Sequence, residues 1–159
     1  MNKTYLLLGS NMGNSRQQLA AAQKYIEKTI GCISRRSSRY QTAAWGKTDQ
    51  PDFLNQVIIV ETELTANDTM QAILSIEKKM GRLRTVKNAP RIIDIDILLF
   101  NKEIIESTAL GIPHPQLQNR RFVLIPLNEL SPNLIHPILK KTIHQLLRVC
   151  PDNLAVKKK

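Results

Sequence analysis

FLNQVIIVETEL, residues 53–64, carries four β-branched residues in succession at Val57, Ile58, Ile59 and Val60. With a loop of Gly, Asp and Pro before it and a helix start behind it, the stretch reads as a central strand. Outward toward the N-terminus, residues 33–40 alternate polar and less polar positions. Farther out, residues 4–8 read as a buried strand closed by a turn at Gly9-Ser10-Asn11, and Leu19, Ala22, Ile26 and Ile30 recur at helical spacing, stopping before Gly31. On the C-terminal side, Thr65 with Asp68 resembles a capping box with Asp in place of the usual Glu. It opens a helix on which Ile73, Ile76 and Met80 share a face and which Gly81 ends. A basic loop at 82–91, an apolar strand at 92–100, a turn at Asn101-Lys102 and a return strand at 103–106 follow, the last two strands predicted to form a hairpin. Ile112-Pro113-His114-Pro115 precedes two predicted helices, 120–130 and 139–149. The order is mixed α+β, and strands adjacent in sequence predict antiparallel pairs.

The chain has 159 residues and a formal charge of +10. That length suits one domain spanning 1–159, with 154–159 expected as a frayed basic tail, so Lys157, Lys158 and Lys159 are discounted as a binding site. The remaining positive charge points to an anionic partner: nucleic acid, an acidic membrane surface or a polyphosphate, among which sign alone does not choose. Cys32 and Cys150 form no C-x-x-C and read as reduced thiols. The apolar run at 5–8 is too short for a signal-peptide core, and no segment approaches membrane-spanning length, so a cytoplasmic protein with no membrane partner is expected. The absence of a coiled-coil seam predicts a monomer.

The chemistry concentrates in KNAPRIIDIDILLF, residues 87–100. In an extended strand Asp94 and Asp96 share a face with Ile92 and Leu98, while Ile93, Ile95, Ile97 and Leu99 point the other way. Two neighbouring acids in an aliphatic strand repel each other and resist burial. Magnesium would offset that cost, being a hard cation commonly held by one or two carboxylates together with substrate phosphates. The other reading is a solvated strand end whose acids pair with arginines and secure a loop. Arg82, Arg84, Lys87 and Arg91 run into the same strand, and carboxylates converging with cations are what phosphoryl-type transfer requires. Two nucleotide motifs fail. Gly46-Lys47-Thr48 has Gln41 where a P-loop needs glycine, and Gly9 to Gly13 lacks the G-x-G-x-x-G spacing. The three histidines have no metal-ligand spacing: His136 and His144 read as structural or solvated, and His114, between two prolines, as a candidate phosphate contact.

Lys87 through Leu98 fit, position by position, the pattern basic, any, small, Pro, Arg, any, any, Asp, aliphatic, Asp, aliphatic, aliphatic. With Leu8-Gly9-Ser10-Asn11, Tyr40-Gln41-Thr42, Asp49-Gln50-Pro51-Asp52-Phe53-Leu54-Asn55, Gly81-Arg82-Leu83-Arg84, Pro113-His114 and Asn119-Arg120-Arg121-Phe122, the chain resembles the hydroxymethyl-dihydropterin pyrophosphokinase family of folate biosynthesis over nearly its whole length. The resemblance implies a ferredoxin-like α+β sandwich, a mainly antiparallel sheet with helices on both sides, and transfer of diphosphate from ATP to the pterin hydroxymethyl group with release of AMP. It implies two magnesium ions on Asp94 and Asp96, and Arg82 and Arg91 stabilising charge on the moving group. Glu77, Arg84, Ile97 (through its backbone), His114 and Arg120 would complete the ATP site. The pterin would lie between Phe53 and Phe122, with Thr42 and Asn55 reading its edges, Ala43 and Asp94 beside it, and Asp94 assisting removal of the hydroxyl proton. The chain departs from the family pattern at Asn88, where a tryptophan is usual, in a basic loop one residue shorter, at Ala43-Ala44 in place of two prolines, and at Ala109 and Pro115. Trp45 is expected to supply the covering surface lost at Asn88. A metal-dependent nucleotidyltransferase could use the same carboxylate pair. An RNA-binding sheet would suit the charge, but it lacks aromatic strand positions and leaves the acids unexplained, so no nucleic-acid partner is expected.

Overall fold

A computed structural model describes residues 1–43, 50–82 and 91–159. In chain order the elements are β1 (Asn2–Ser10), α1 (Ser15–Thr29), β2 (Gly31–Arg36), β3 (Tyr40–Thr42), β4 (Phe53–Thr62), α2 (Ala66–Lys79), β5 (Asp94–Phe100), β6 (Ile105–Glu106), β7 (Gly111–Ile112), α3 (Arg121–Leu130), α4 (Ile143–Arg148) and β8 (Val156–Lys158). β4 is central: it pairs antiparallel with β1 along one edge and with β2 and then β3 along the other. β5 closes the far side of β1, giving the spatial order β5-β1-β4 with β2 and β3 beyond. The succession β1-α1-β2-β4-α2-β5 in that order is the ferredoxin-like sandwich expected from the sequence. No helix among the described residues is long and apolar enough to cross a membrane.

β4 shows no in-out alternation because both of its faces are covered, and Val57, Ile58 and Val60 have no accessible surface. Leu8, Ile58, Ile95 and Ile97 face α1 and α2, meeting Leu19, Ile26, Ile73 and Ile76. Leu7, Val57, Ile59 and Leu99 face α3 and α4, meeting Val123, Leu127, Ile143 and Leu146. The helix starts follow their caps. Asn14 accepts from Gln17 N and Thr65 from Asp68 N, and Gly81 leaves α2 at a φ of 89° that a side chain would resist.

Several sequence-based expectations are corrected. Gly9-Ser10 is not a turn, since β1 runs through Ser10. The strand at 92–100 does not form a hairpin with 103–106. Asn101, at φ 50°, exchanges two hydrogen bonds with Lys3, Asn101 N to Lys3 O at 2.8 Å and Lys3 N to Asn101 Oδ1 at 2.9 Å, so the turn closes on β1. β6 then pairs with β7, outside the main sheet. The last helix begins at Ile143 rather than near 139, because Thr142 and Gln145 form a reciprocal capping box and Lys140 adopts φ 59°. The basic tail is not frayed: Val156–Lys158 adds an edge strand to β3. Leu99 does not lie opposite the acids, because a register shift on β5 turns Leu98 and Leu99 to the same side.

Gly31 sits where β2 meets β4, and a Cβ there would run into the Glu61 carbonyl oxygen, with Thr62 Cα 3.0 Å away. Gly31→Ala is expected to lower the unfolding free energy by about 3 kcal/mol, read as a fall in the urea midpoint at unchanged slope.

Candidate active site

The site begins with a register. Gly9 of β1 pairs with Asn55 of β4 on one side and Asp94 of β5 on the other, and Asn55 pairs in turn with Tyr40 of β3. Asp94, Gly9, Asn55 and Tyr40 therefore form one transverse row, with Asp96, Leu7 and Val57 in the next. Gly9 puts no side chain into its row, leaving a depression in the sheet between acid and amide. A Cβ there would come within 2.9 Å of Asn55 Oδ1. Over this floor lies a cleft of about 250 Å³, and it gathers Thr42, Ala43, Phe53 and Asn55 from the β3 and β4 side with Arg82, Arg91, Asp94, Asp96, His114, Arg120 and Phe122.

The two acids differ sharply in their surroundings. Arg82 Nη1 donates to Asp94 Oδ1 at 2.6 Å and to Glu77 Oε2 at 2.7 Å, while Arg91 Nη1 lies 3.3 Å from Asp94 Oδ2. Glu77, 2% exposed, also accepts from Ile95 N at 2.8 Å, so it anchors Arg82 to the backbone of the acid-bearing strand. Burial lowers the Arg82 pKa, and the opposing pull of Asp94 and Glu77 leaves it above its ordinary value. Among the described residues, no hydrogen bond or ion pair engages the Asp96 carboxylate. Burial first, then the charges of Asp94 and Glu77, push its pKa up to about 7, with Arg120 and Arg82 only partly opposing them.

His114 hangs from β5 at the register shift, its N–H donating to Leu98 O at 2.9 Å. Gln116 N donates to His114 Nδ1 at 3.1 Å, which makes Nε2 the protonated nitrogen and the available donor. Burial, reinforced by Arg120, lowers the His114 pKa, so the ring is neutral at pH 7. The Arg120 guanidinium lies 5.7 Å from the Phe122 ring centroid, and burial outweighs Asp96 and Asp94 in lowering its pKa.

On the opposite side, Thr42 Oγ1 and Asn55 Nδ2 are buried without a hydrogen-bond partner among the described residues. Such orphaned groups cost about 1–3 kcal/mol each, a cost that a flat ligand with polar edges would relieve. Phe53 and Phe122 supply the aromatic surface. The charged side suits a cation shared with a polyphosphate. Among the described residues no group of three His, Cys, Asp or Glu side chains could hold a metal ion, so a cation here would need ligands from outside the chain as well. Asp96, buried beside a like charge, is the observation that fits this best.

Of the residues singled out from the sequence, Thr42, Ala43, Phe53, Asn55, Arg82, Arg91, Asp94, Asp96, His114, Arg120 and Phe122 line this cleft. Glu77 acts from behind it through Arg82, and Ile97 packs on the opposite face of the sheet, against α1 and α2. Trp45 and Arg84, with Lys87 and Asn88, lie outside the described residues. Sequence reasoning overlooked Gly9 as the floor, having read it as a turn. It also overlooked Asn11, 3% exposed, which accepts from Arg91 N at 2.8 Å and donates to Gln50 Oε1 at 2.7 Å and Pro51 O at 3.0 Å. Asn11 thereby joins the residues just before β4 to those just before β5.

A family model described as 7,8-dihydro-6-hydroxymethylpterin-pyrophosphokinase (HPPK) matches residues 5–132. A 2-amino-4-hydroxy-6-hydroxymethyldihydropteridine pyrophosphokinase of Methylorubrum extorquens is 40% identical over 136 residues, covering 85% of this chain and 86% of that protein. One from Aquifex aeolicus is 39% identical over 145 residues, covering 91% of this chain and 90% of that protein. Among solved structures, a Plasmodium falciparum HPPK-DHPS chain superposes with a TM-score of 0.77 at 21% identity, covering 92% of this chain and 43% of that one. At that identity the likeness is one of fold, and the present chain spans less than half of the solved one.

The Asp96 environment makes stability pH-dependent in a definite direction. With a folded pKa of about 7, above the ordinary carboxylate value, the folded chain binds more protons than the unfolded one between about pH 4 and pH 7. The stability from this group is full below that window and is lost as pH rises through it. In the absence of divalent cations, the urea midpoint of Asp96→Asn should gain on wild type between pH 5 and pH 8. A pH-independent difference would contradict the burial of this charge.

Proposed function

This chain belongs to the 7,8-dihydro-6-hydroxymethylpterin-pyrophosphokinase family, and from that premise we propose that its cleft transfers the terminal diphosphate of ATP to the hydroxymethyl group of 6-hydroxymethyl-7,8-dihydropterin. One observation carries the assignment of substrates to sites: a single cleft joins a carboxylate and arginine side to an aromatic and amide side. The triphosphate belongs with Asp94, Asp96, Arg82, Arg91, Arg120 and His114. The pterin belongs with Phe53, Phe122, Thr42, Ala43 and Asn55, where stacking fixes its plane and the orphaned Thr42 Oγ1 and Asn55 Nδ2 read its edges.

In the reaction the substrate hydroxyl oxygen bonds to the β-phosphorus and gives up its proton to Asp94 or to solvent, the bond from that phosphorus to the α,β-bridging oxygen breaks, and AMP leaves with that oxygen. Asp94 and Asp96 would hold two magnesium ions, which when bound supply charge neutralisation for the phosphate oxygens. Arg82 and Arg91 approach from the protein side, and Glu77 keeps Arg82 in position as its bond to Asp94 loosens. His114 offers a neutral Nε2–H donor. Both Asp94 oxygens are engaged by arginines, so a proton-accepting role for Asp94 requires one of those bonds to open. Catalysis of this kind rests on alignment and charge stabilisation.

Protein mixed with ATP, magnesium and hydroxymethyl-dihydropterin should release AMP and form the pterin diphosphate. A pterin–AMP product would indicate nucleotidyl transfer instead. Asp94→Ala and Asp96→Ala are each expected to lower turnover by at least about a thousandfold with the fold retained. Asn55→Ala should raise the pterin KM about tenfold, roughly 1.4 kcal/mol, and leave the ATP KM unchanged.

A further inference from the structure

The two walls of the pterin side come from different elements. Phe122 rides on the first turn of α3, with Arg120 as its N-cap residue, and Thr42 ends β3. At its other end α3 is tied to the start of β3 directly: Tyr40 Oη donates to Glu129 Oε1 at 2.6 Å, and Ser38 N and Oγ reach Glu129 Oε2 at 3.1 and 3.0 Å. A similar direct tie at the Phe122 end would close the cleft. The residues after α4 make the connection around the outside.

Asp152 is 7% exposed, and its carboxylate is divided between two backbone donors: Arg121 N to Oδ2 at 3.0 Å and Leu154 N to Oδ1 at 2.9 Å. It thereby caps a helix that has no side-chain cap of its own and no acid in its first turn. Four residues farther on, β8 pairs with the whole of β3: Val156 with Thr42, Lys157 with Gln41, Lys158 with Tyr40. Lys159 N extends the ladder to Arg39 O at 2.8 Å. One short segment thus grips the helix that carries Phe122 and the strand that carries Thr42. Its exposed lysines account for themselves, since charge on an edge strand discourages further pairing.

We propose that residues 152–159 form a strap that sets the spacing between the Phe122 and Thr42 walls of the cleft, with Asp152 and the β8 backbone as positioning groups for the planar ligand. The identity of that ligand rests on the function proposed above. The strap itself does not.

The test uses Asp152→Ala, Asp152→Asn and Lys157→Pro in the full chain. Lys159 is a hydrogen-bonded position of the ladder, and alternation makes Lys157 the next one, so proline there removes a donor to β3. Amide exchange reports the strap, and the affinities for hydroxymethyl-dihydropterin and a nonhydrolysable ATP analogue report its role. Asp152→Ala should speed exchange at residues 40–42 at least tenfold, and Lys157→Pro should do the same in the first turn of α3. Lys157→Pro should weaken pterin binding five- to tenfold with nucleotide affinity within twofold, and Asp152→Asn, which keeps one acceptor, should fall between wild type and Asp152→Ala. Exchange that changes only beside each substitution, or pterin affinity that is unchanged in a folded Lys157→Pro chain, would overturn the strap. Should Asp152→Ala fail to fold, Lys157→Pro decides alone. A wild-type chain that binds no pterin would sink the functional reading, and exchange would still decide the strap.

Discussion

The position of β1 between β4 and β5 is the constraint on which the site depends. With Gly9 between Asn55 and Asp94, the sheet presents an amide, a gap and an acid in one line, and the gap is the floor of the cleft. A one-residue slip in either pairing would send Asp94 and Asp96 into the aliphatic layer under α1 and α2 and bring Ile95 and Ile97 into the cleft. The register is held by burial on both faces of the sheet: Leu6 and Leu8 have no accessible surface on one side, and Leu7 and Val57 are buried on the other. The core that stabilises the fold is therefore also the device that aligns the acids.

Electrostatics then divide the labour between two acids two residues apart. Asp94 is balanced by Arg82 and Arg91, and Arg82 is fixed by the buried Glu77. Asp96 lacks such a partner among the described residues and titrates near neutrality, so it is the group with most to gain from a cation. Of the two readings open to these cations and acids, Asp94 meets the salt-bridge one through Arg82 and Arg91, while Asp96 stands beside that network.

Much of this was legible in the primary structure because it depends on local periodicity. The period-two spacing of Asp94 and Asp96, the β-branched run of β4, the caps at Thr65 and the stop at Gly81 each act within a few residues. The failures share a cause as well. The expected hairpin after Phe100 was drawn to β1 by Lys3, ninety-eight positions away from Asn101. The lysines at 157–159 read as a solvated end because nothing near them in sequence announces β3 as a partner. The extra residue at Leu98 on β5, from which His114 hangs, leaves no mark in an unbroken aliphatic run.

By itself, then, the sequence determined which side chains are available to the cleft and the class of architecture that holds them, since the identity of side chains and their short-range spacing are properties of the chain alone. Tertiary structure decided which of those residues meet: Gly9 became a floor, Asn11 a link between the two segments leading into β4 and β5, and Asp152 a cap on a helix thirty-one residues before it. Those roles exist only once hydrogen-bond partners distant along the chain are brought within about 3 Å, and no local pattern encodes that distance.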